Sequence, residues 1–253
     1  MTAFLKKEWM EMVRTGRATI LLLVFCLFGI MNPAIAKLTP WMMTVMSDAL
    51  EESGFILTTV TVDAMTSWTQ FYKNIPMALL IFILLISQNF TAEYQKGTLI
   101  PVITKGLSRR KIVAAKTIMM IGSWTVGYFL CYGITLGYNA YFWDNSIASY
   151  HIFGAVCYWL FGVWVIALMI FFSTFSSSST QVLLGTGIIT VGIYMLKMFP
   201  KLSTFLPSKL MDGMSLLQGI EKPQDYFISI LVSCVICVLF ILMSLICFDR
   251  RKL

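Results

Sequence analysis

The chain has 253 residues, of which 58% are hydrophobic and only 12% are charged, and its formal net charge is +7. A soluble domain usually has about twice this charged fraction, and here the apolar residues lie in long stretches that can cross roughly 30 Å of hydrocarbon. The composition excludes an ordinary soluble enzyme and predicts an all-α integral membrane protein without a soluble catalytic domain.

Residues 1–17 predict an amphipathic helix that lies flat on the membrane surface before the first span. Its helical wheel has an apolar side and a charged side. The two sides are formed by Leu5, Trp9, Met12, Val13 and Gly16, and by Lys7, Glu8, Glu11 and Arg14. Phe4 does not fit this pattern, which we attribute to fraying of the helix end.

Six apolar stretches follow as candidate membrane spans, at residues 18–36, 75–90, 117–138, 152–172, 181–196 and 226–248. The second and fifth are shorter than the ~20 residues that usually cross a bilayer, so the pattern does not define their ends. The first is longer than the apolar core of a signal peptide and has no clear cleavage site after it, which favours a retained span. Residues 37–74 are predicted to form an external segment.

The basic residues indicate the orientation of the spans. With six spans, the N-terminal tail, the loop after span two and the C-terminus lie on one side, and these segments hold most of the clustered Lys and Arg residues. The positive-inside rule places that side in the cytoplasm. We therefore expect a multi-pass protein of a bacterial plasma membrane with both termini in the cytoplasm. Because topology accounts for the net charge, we expect no nucleic-acid partner.

Residues that carry chemistry inside a membrane are absent from the predicted spans. None of the spans has Asp, Glu, Lys or Arg near its middle, which disfavours a transporter coupled to protons or sodium ions. The constellations of intramembrane proteases are also absent, as is the G-x-x-x-x-G-K-[ST] nucleotide-binding motif. We expect no enzymatic activity, metal or cofactor in this chain, and any uphill transport must draw its energy from another polypeptide.

The loop of residues 91–116 has the signals of a short helix held at the cytoplasmic surface. Span two should deliver Glu93 to that surface, and Gly97 permits a sharp change of direction. Thr98 is predicted to be the N-cap of a short helix that begins at Leu99 and is ended by Gly106. The alternative interpretation is a basic loop that sets topology and has no partner.

The short helix is predicted to have an apolar face formed by Leu99, Ile100, Val102 and Ile103. At the cytoplasmic surface this face would be exposed unless a partner or lipid covers it. We therefore expect the loop to dock with a soluble partner.

This loop resembles the cytoplasmic loop of ABC type-2 permeases. The matching residues are Glu93-x-x-x-Gly97-Thr98-Leu99, then Leu107-Ser108-Arg109-Arg110-Lys111, and finally Lys116. The amphipathic N-terminal helix is similar to the elbow helix of that family, and the resemblance covers nearly the whole chain. One departure is Pro101 with Lys105-Gly106, where many members have a Leu-rich segment that ends in Pro.

The resemblance implies one permease domain over residues 1–253, with six transmembrane helices, an elbow helix and a cytoplasmic coupling helix between spans two and three. It also implies a separate ABC ATPase, which binds ATP and magnesium, and a second permease copy or a homologous permease. Most members of the family are exporters. The residues that this likeness assigns to ATPase coupling are Glu93, Gly97, Thr98, Leu99, Ile103 and Lys105.

The third span contains an aromatic stripe, because Trp124, Tyr128 and Tyr132 recur every four residues. These rings are either a wall along a substrate path or residues that pack helices together. We expect the cargo to be amphipathic peptides or hydrophobic small molecules. The alternative functions are a secondary transporter or channel, and a membrane sensor or assembly subunit that transports nothing.

Overall fold

The computed structural model describes residues 2–51, 62–95, 97–104 and 106–250, and among these residues it contains helices and no strand. The α-helices are α1 (Thr2–Arg14), α2 (Arg17–Glu51), α3 (Ala64–Ile86), α4 (Gln88–Gln95), α5 (Ile100–Thr104), α6 (Arg109–Phe142), α7 (His151–Phe175), α8 (Ser179–Leu196), α9 (Pro200–Ser203), α10 (Gly213–Leu217) and α11 (Phe227–Arg250). Short 3₁₀ helices lie at Asn145–Ile147, Pro207–Met211 and Pro223–Tyr226.

Six spans are long and apolar enough to cross a membrane among the described residues. They are formed by α2, by α3 continued into α4, and by α6, α7, α8 and α11. The predicted number of spans and the multi-pass membrane class are therefore confirmed.

Two helices extend well beyond the apolar stretches that predicted them. α2 continues to Glu51 and α3 begins at Ala64, so residues 37–51 and 64–74 continue the helices of the first two spans. The external position of this segment stays a prediction. Most of the remainder, residues 52–61, lies outside the described residues. The difference arises because a helix continues wherever its backbone hydrogen bonds continue, whereas hydropathy reports only the part that lies in hydrocarbon.

α7 is the central helix of the bundle. It packs against α6, α8 and α11, and every residue from Gly162 to Ile170 is buried. α8 and α11, in contrast, expose large apolar side chains along most of their length. In a membrane protein such faces contact lipid or another membrane helix.

Hydrogen bonds between polar side chains join three of the spans. Asn32 of α2 donates its amide Nδ2 to Thr135 Oγ1 of α6 at 3.2 Å, and Asn74 of α3 donates to Asn32 Oδ1 at 2.9 Å. Bonds of this kind stabilise helix association where lipid offers no alternative partner.

One end of the bundle collects α1, α4, α5, the beginnings of α6 and α8 and the end of α11, and we name it the α1 end. The Gln95 amide there donates to the Ser177 carbonyl at 3.2 Å, and the Arg109 guanidinium donates to the Asp249 carbonyl at 3.1 Å. α1 turns into α2 at Gly16, whose φ is +74°, a conformation that glycine adopts without a steric penalty. These contacts bring the segments that were predicted to be functional into one region.

Candidate functional site

The segment between α3 and α6 contains two glycines with left-handed backbone, Gly97 (φ +65°) and Gly106 (φ +90°). At the end of α4, the N–H of Thr98 donates to the Glu93 carbonyl and the N–H of Gly97 donates to the Tyr94 carbonyl, each at 3.2 Å. This is the Schellman arrangement, with Gly97 at the position that requires a positive φ. The predicted change of direction at Gly97 is confirmed.

Thr98 is not the N-cap that the sequence predicted. Its backbone N–H closes α4, and its hydroxyl donates to the Glu93 carbonyl at 3.5 Å. The short helix α5 begins at Ile100, and the first carbonyl that it uses belongs to Leu99, which accepts from the N–H of Ile103 at 3.1 Å. A threonine between two helices can close the preceding helix or cap the following one, and here Thr98 closes the preceding helix α4.

The apolar face predicted for the short helix is only partly exposed. Leu99 is buried in the core of the chain itself and Ile103 is half-buried against that core, whereas Ile100 has 51% of its surface exposed. The prediction that this helix cannot bury anything within its own chain is therefore wrong. Lys105 and the side chain of Val102 lie outside the described residues. Among the described side chains of α5, those of Ile100, Pro101 and Thr104 are exposed.

Lys116 is the centre of a buried group of charges that joins α1, α4 and α6. Its ammonium Nζ lies 3.1 Å from Glu8 Oε2 and 2.8 Å from Glu93 Oε2, and it donates to the Asn89 carbonyl at 2.9 Å. The side chains of Lys116, Glu8 and Glu93 are only 1%, 2% and 7% exposed. Buried charges persist in proteins when they are paired in this way.

Lys7 and Glu11 extend this group towards solvent. The Lys7 ammonium donates to Glu93 and lies 3.2 Å from both Glu8 Oε1 and Glu11 Oε2. Burial by itself lowers the pKa of Lys7, but the hydrogen bond to Glu93 and the charges of Glu8 and Glu93 outweigh burial, so the pKa is raised above its ordinary value. We call Lys7, Glu8, Glu11, Glu93 and Lys116 the ion cluster.

The carboxylates of the ion cluster are close enough to hold a metal ion, since ligand atoms of Glu8, Glu11 and Glu93 lie within 4.8 Å of one another. However, the ammonium groups of Lys7 and Lys116 contact the same carboxylates. Three negative charges are thereby opposed by two positive ones. This arrangement is suited to fixing three helices relative to one another, and the charges that would attract a cation are already engaged.

α1 packs on the bundle with a stripe of residues that shares only Met12 with the predicted apolar side. Phe4, Glu8 and Met12 are buried, whereas about half of the surface of Trp9 and Val13 is exposed. A spacing of four residues places the buried three in one stripe. The assignment of Glu8 to the solvent side and of Phe4 to a frayed end is therefore wrong, because Lys116 supplies an opposite charge inside the bundle.

A sequence signal for the ion cluster did exist in two parts. Phe4, Glu8 and Met12 form a stripe with one carboxylate between two apolar residues, and Lys116 directly precedes an apolar span. Each part is common by itself, and only the packing of α1 on α6 brings them together. Glu93 and Lys116 are part of the loop pattern in the sequence, whereas no motif in the sequence marks Lys7 or Glu8 as site residues.

The aromatic stripe of α6 is buried in the interface with α7. The Trp124 indole donates to the Trp159 carbonyl at 3.1 Å, and the Tyr128 hydroxyl donates to the Ala155 carbonyl at 2.8 Å. The Tyr132 hydroxyl lies 2.7 Å from His151 Nδ1. These contacts are those of helix packing, the second of the two interpretations of the stripe, and a role in a substrate path stays a prediction.

Comparisons with known proteins identify no relative: no protein-family model, no curated protein and no solved structure matches this chain.

Proposed function

We propose that this chain is the membrane permease subunit of an ATP-driven ABC exporter. It works with a separate ABC ATPase that binds ATP and magnesium, and with a second permease copy or a homologous permease. The α1 end faces the cytoplasm of a bacterial cell, and the cargo is an amphipathic peptide or a hydrophobic small molecule. The resemblance of the Glu93–Lys116 region to ABC type-2 permeases supports the class, and the absence of a nucleotide-binding motif in the sequence supports an external energy source.

The observation that carries the proposal is the firm connection between the exposed helix α5 and the membrane spans. Gly97 and Gly106 delimit α5, and Glu93, directly before the first of these turns, contacts both Lys7 of α1 and Lys116 of α6. A force applied to α5 therefore acts on α1 and α6 through paired buried charges. A chain of packed and ion-paired groups of this kind is what mechanical coupling between a soluble partner and a membrane helix requires.

The exposed surface of α5 is also chemically suited to a protein partner. Ile100 and Pro101 are exposed next to each other at the α1 end. An exposed aliphatic side chain on a fixed helix is the kind of group that a hydrophobic cleft on a soluble partner covers. Ile100 is therefore a better test position than Ile103, which is half-buried within the chain.

The test compares Ile100→Asp with the matched variant Ile147→Asp, whose isoleucine is equally exposed at the opposite end of the bundle. The tagged chain is expressed in its own cell, and the material purified with it is examined for an ABC ATPase and for ATP hydrolysis in proteoliposomes. We expect the wild type and Ile147→Asp to retain the ATPase. The amount of ATPase that co-purifies with Ile100→Asp should be at least tenfold lower.

Two outcomes contradict the proposal in different ways. If no ABC ATPase accompanies the wild-type chain, the chain is not a permease of this class, and a channel, sensor or assembly subunit is favoured. If Ile100→Asp retains its ATPase and full ATP hydrolysis, then α5 is not the element that docks.

A further inference from the structure

A second feature of the α1 end is an apolar groove between α1, α2 and α6, with a volume of about 380 Å³. Trp9 and Met12 line it from α1, Leu22 from α2, and Gly122 and Val126 from α6. The lining residues are almost all apolar, and the Ser123 hydroxyl, which also lines the groove, is satisfied by the Met120 carbonyl at 3.0 Å. The groove therefore offers a surface for hydrocarbon and no polar group that lacks a partner.

The length of the groove matches one leaflet of a bilayer. Its α6 wall runs from Ile118 to Leu130, a rise of about 18 Å at 1.5 Å per residue. Half of the hydrocarbon core of a bilayer is about 15 Å thick. The groove thus extends from α1, at the membrane surface, through the leaflet on the α1 side.

Unpaired positive charge lies next to the lining residues at the surface end of the groove. Lys6 is about one helical turn before Trp9 on α1, and Lys111 is two turns before Ile118 on the same face of α6. Both lysines are exposed, and neither forms an ion pair with a described residue. The described acidic residues at this end are engaged, either in the ion cluster or, for Asp249, with Arg110. Basic side chains at the edge of an interfacial helix attract anionic headgroups.

We propose that this groove binds an anionic phospholipid of the leaflet on the α1 side. One acyl chain lies in the groove below Trp9, and the headgroup phosphate lies at the surface end of the groove, near Lys6 of α1 and Lys111 of α6. The bound lipid fills the space that the ion cluster leaves between α1 and the two spans, so it supports α1 from its membrane side. This inference rests on the groove and the two lysines at its surface end, and it is independent of the proposed ATPase partner.

The chain offers a pair of glycines for a matched test. Gly122 lines the groove and Gly133, eleven residues later on the same helix, does not. Both are exposed, and a Cβ at either position would meet nothing within 4 Å. Leucine at Gly122 therefore fills the groove, whereas leucine at Gly133 places the same bulk on a surface outside it.

The experiment uses the full chain, purified from nanodiscs made of equal amounts of phosphatidylglycerol and phosphatidylcholine with identical acyl chains. Native mass spectrometry counts the lipids that stay bound. We expect the wild type and Gly133→Leu to retain one phosphatidylglycerol that Gly122→Leu has lost. In the double variant Lys6→Gln with Lys111→Gln, the preference for phosphatidylglycerol should fall at least threefold, while phosphatidylcholine should still bind.

A second groove variant, Val126→Phe, protects the test against misfolding of Gly122→Leu, because Val126 is 69% exposed and lines the same groove. It should also lose the lipid. The inference is overturned if both groove variants keep the lipid, or if the wild type binds the two lipids equally. It is overturned as well if the groove variants change the number of protein chains in the complex and leave the lipid count unchanged, since the groove would then be an interface between copies.

Discussion

Replacing Lys116 by Met removes the buried ammonium group that Glu8 and Glu93 share. The Lys116 side chain is 1% exposed and lies 3.1 Å from a Glu8 oxygen and 2.8 Å from a Glu93 oxygen. Methionine has a similar length and fills the same volume, so the change removes charge and not packing. The net charge of the ion cluster changes from −1, with two lysines against three glutamates, to −2.

The expected loss of stability is large. Removing one partner of a buried ion pair costs about 3–5 kcal/mol, because the charge that remains is buried without compensation. Two carboxylates are left in this state here, although Lys7 still reaches both of them and reduces the effect. We therefore expect a loss of about 3 kcal/mol, and a larger amplitude of motion for α1, which the ion cluster holds to α4 and α6.

The free energy of unfolding is measured by titration with SDS in mixed micelles, and the mobility of α1 by hydrogen exchange of a peptide covering residues 2–14. Lys111→Met is the matched control, since Lys111 is exposed on the same helix and forms no ion pair with a described residue; it should change neither quantity. In the double variant with Glu8→Gln, the two losses should be less than additive by roughly 0.5–3 kcal/mol. The reasoning is refuted if Lys116→Met lowers the free energy of unfolding by less than about 1 kcal/mol, as the loss of an exposed ion pair would, and if hydrogen exchange in α1 is unchanged.

Two further predictions concern the turn after α4 and the topology. Gly97→Ala should destabilise the chain by about 1–2 kcal/mol, because Gly97 has a φ of +65° and a Cβ makes this conformation unfavourable by about that amount. The control Gly137→Ala, at an open helical position, should leave the stability unchanged. Equal unfolding of the two variants in SDS would contradict the prediction. A reporter fused after Lys252 should be active in the cytoplasm and one inserted near Asn145 should be active outside, whereas the opposite result would reverse the orientation of every span.

The spans and the turns could be predicted from the sequence because they depend on local properties. Each span is a continuous apolar stretch whose length can be compared directly with the thickness of a bilayer. Gly97 directly follows a helical segment, and a helix commonly ends at a glycine with left-handed backbone, which lets the chain change direction. The ends of α2 and α3 could not be predicted in this way, since hydropathy does not report the helical turns that lie outside hydrocarbon.

The buried side of α5 shows the limit of a helical pattern. The sequence identifies Leu99, Ile100 and Ile103 as apolar, but burial of Leu99 and exposure of Ile100 depend on how the short helix lies against the bundle. The same holds for Trp124, whose spacing with Tyr128 predicts a shared face but not what covers it. α7 covers that face, and both rings donate hydrogen bonds to its backbone.

By itself the sequence determined the membrane class, the number of spans and the left-handed turn at Gly97, because composition and local backbone requirements decide these properties. Only the tertiary structure decided that α1 buries Glu8, since the lysine that compensates this carboxylate lies 108 residues later in the chain. A carboxylate is stable inside a bundle only beside an opposite charge. Whether Glu8 faces solvent or the interior therefore depends on where α6 places Lys116, which no pattern within α1 records.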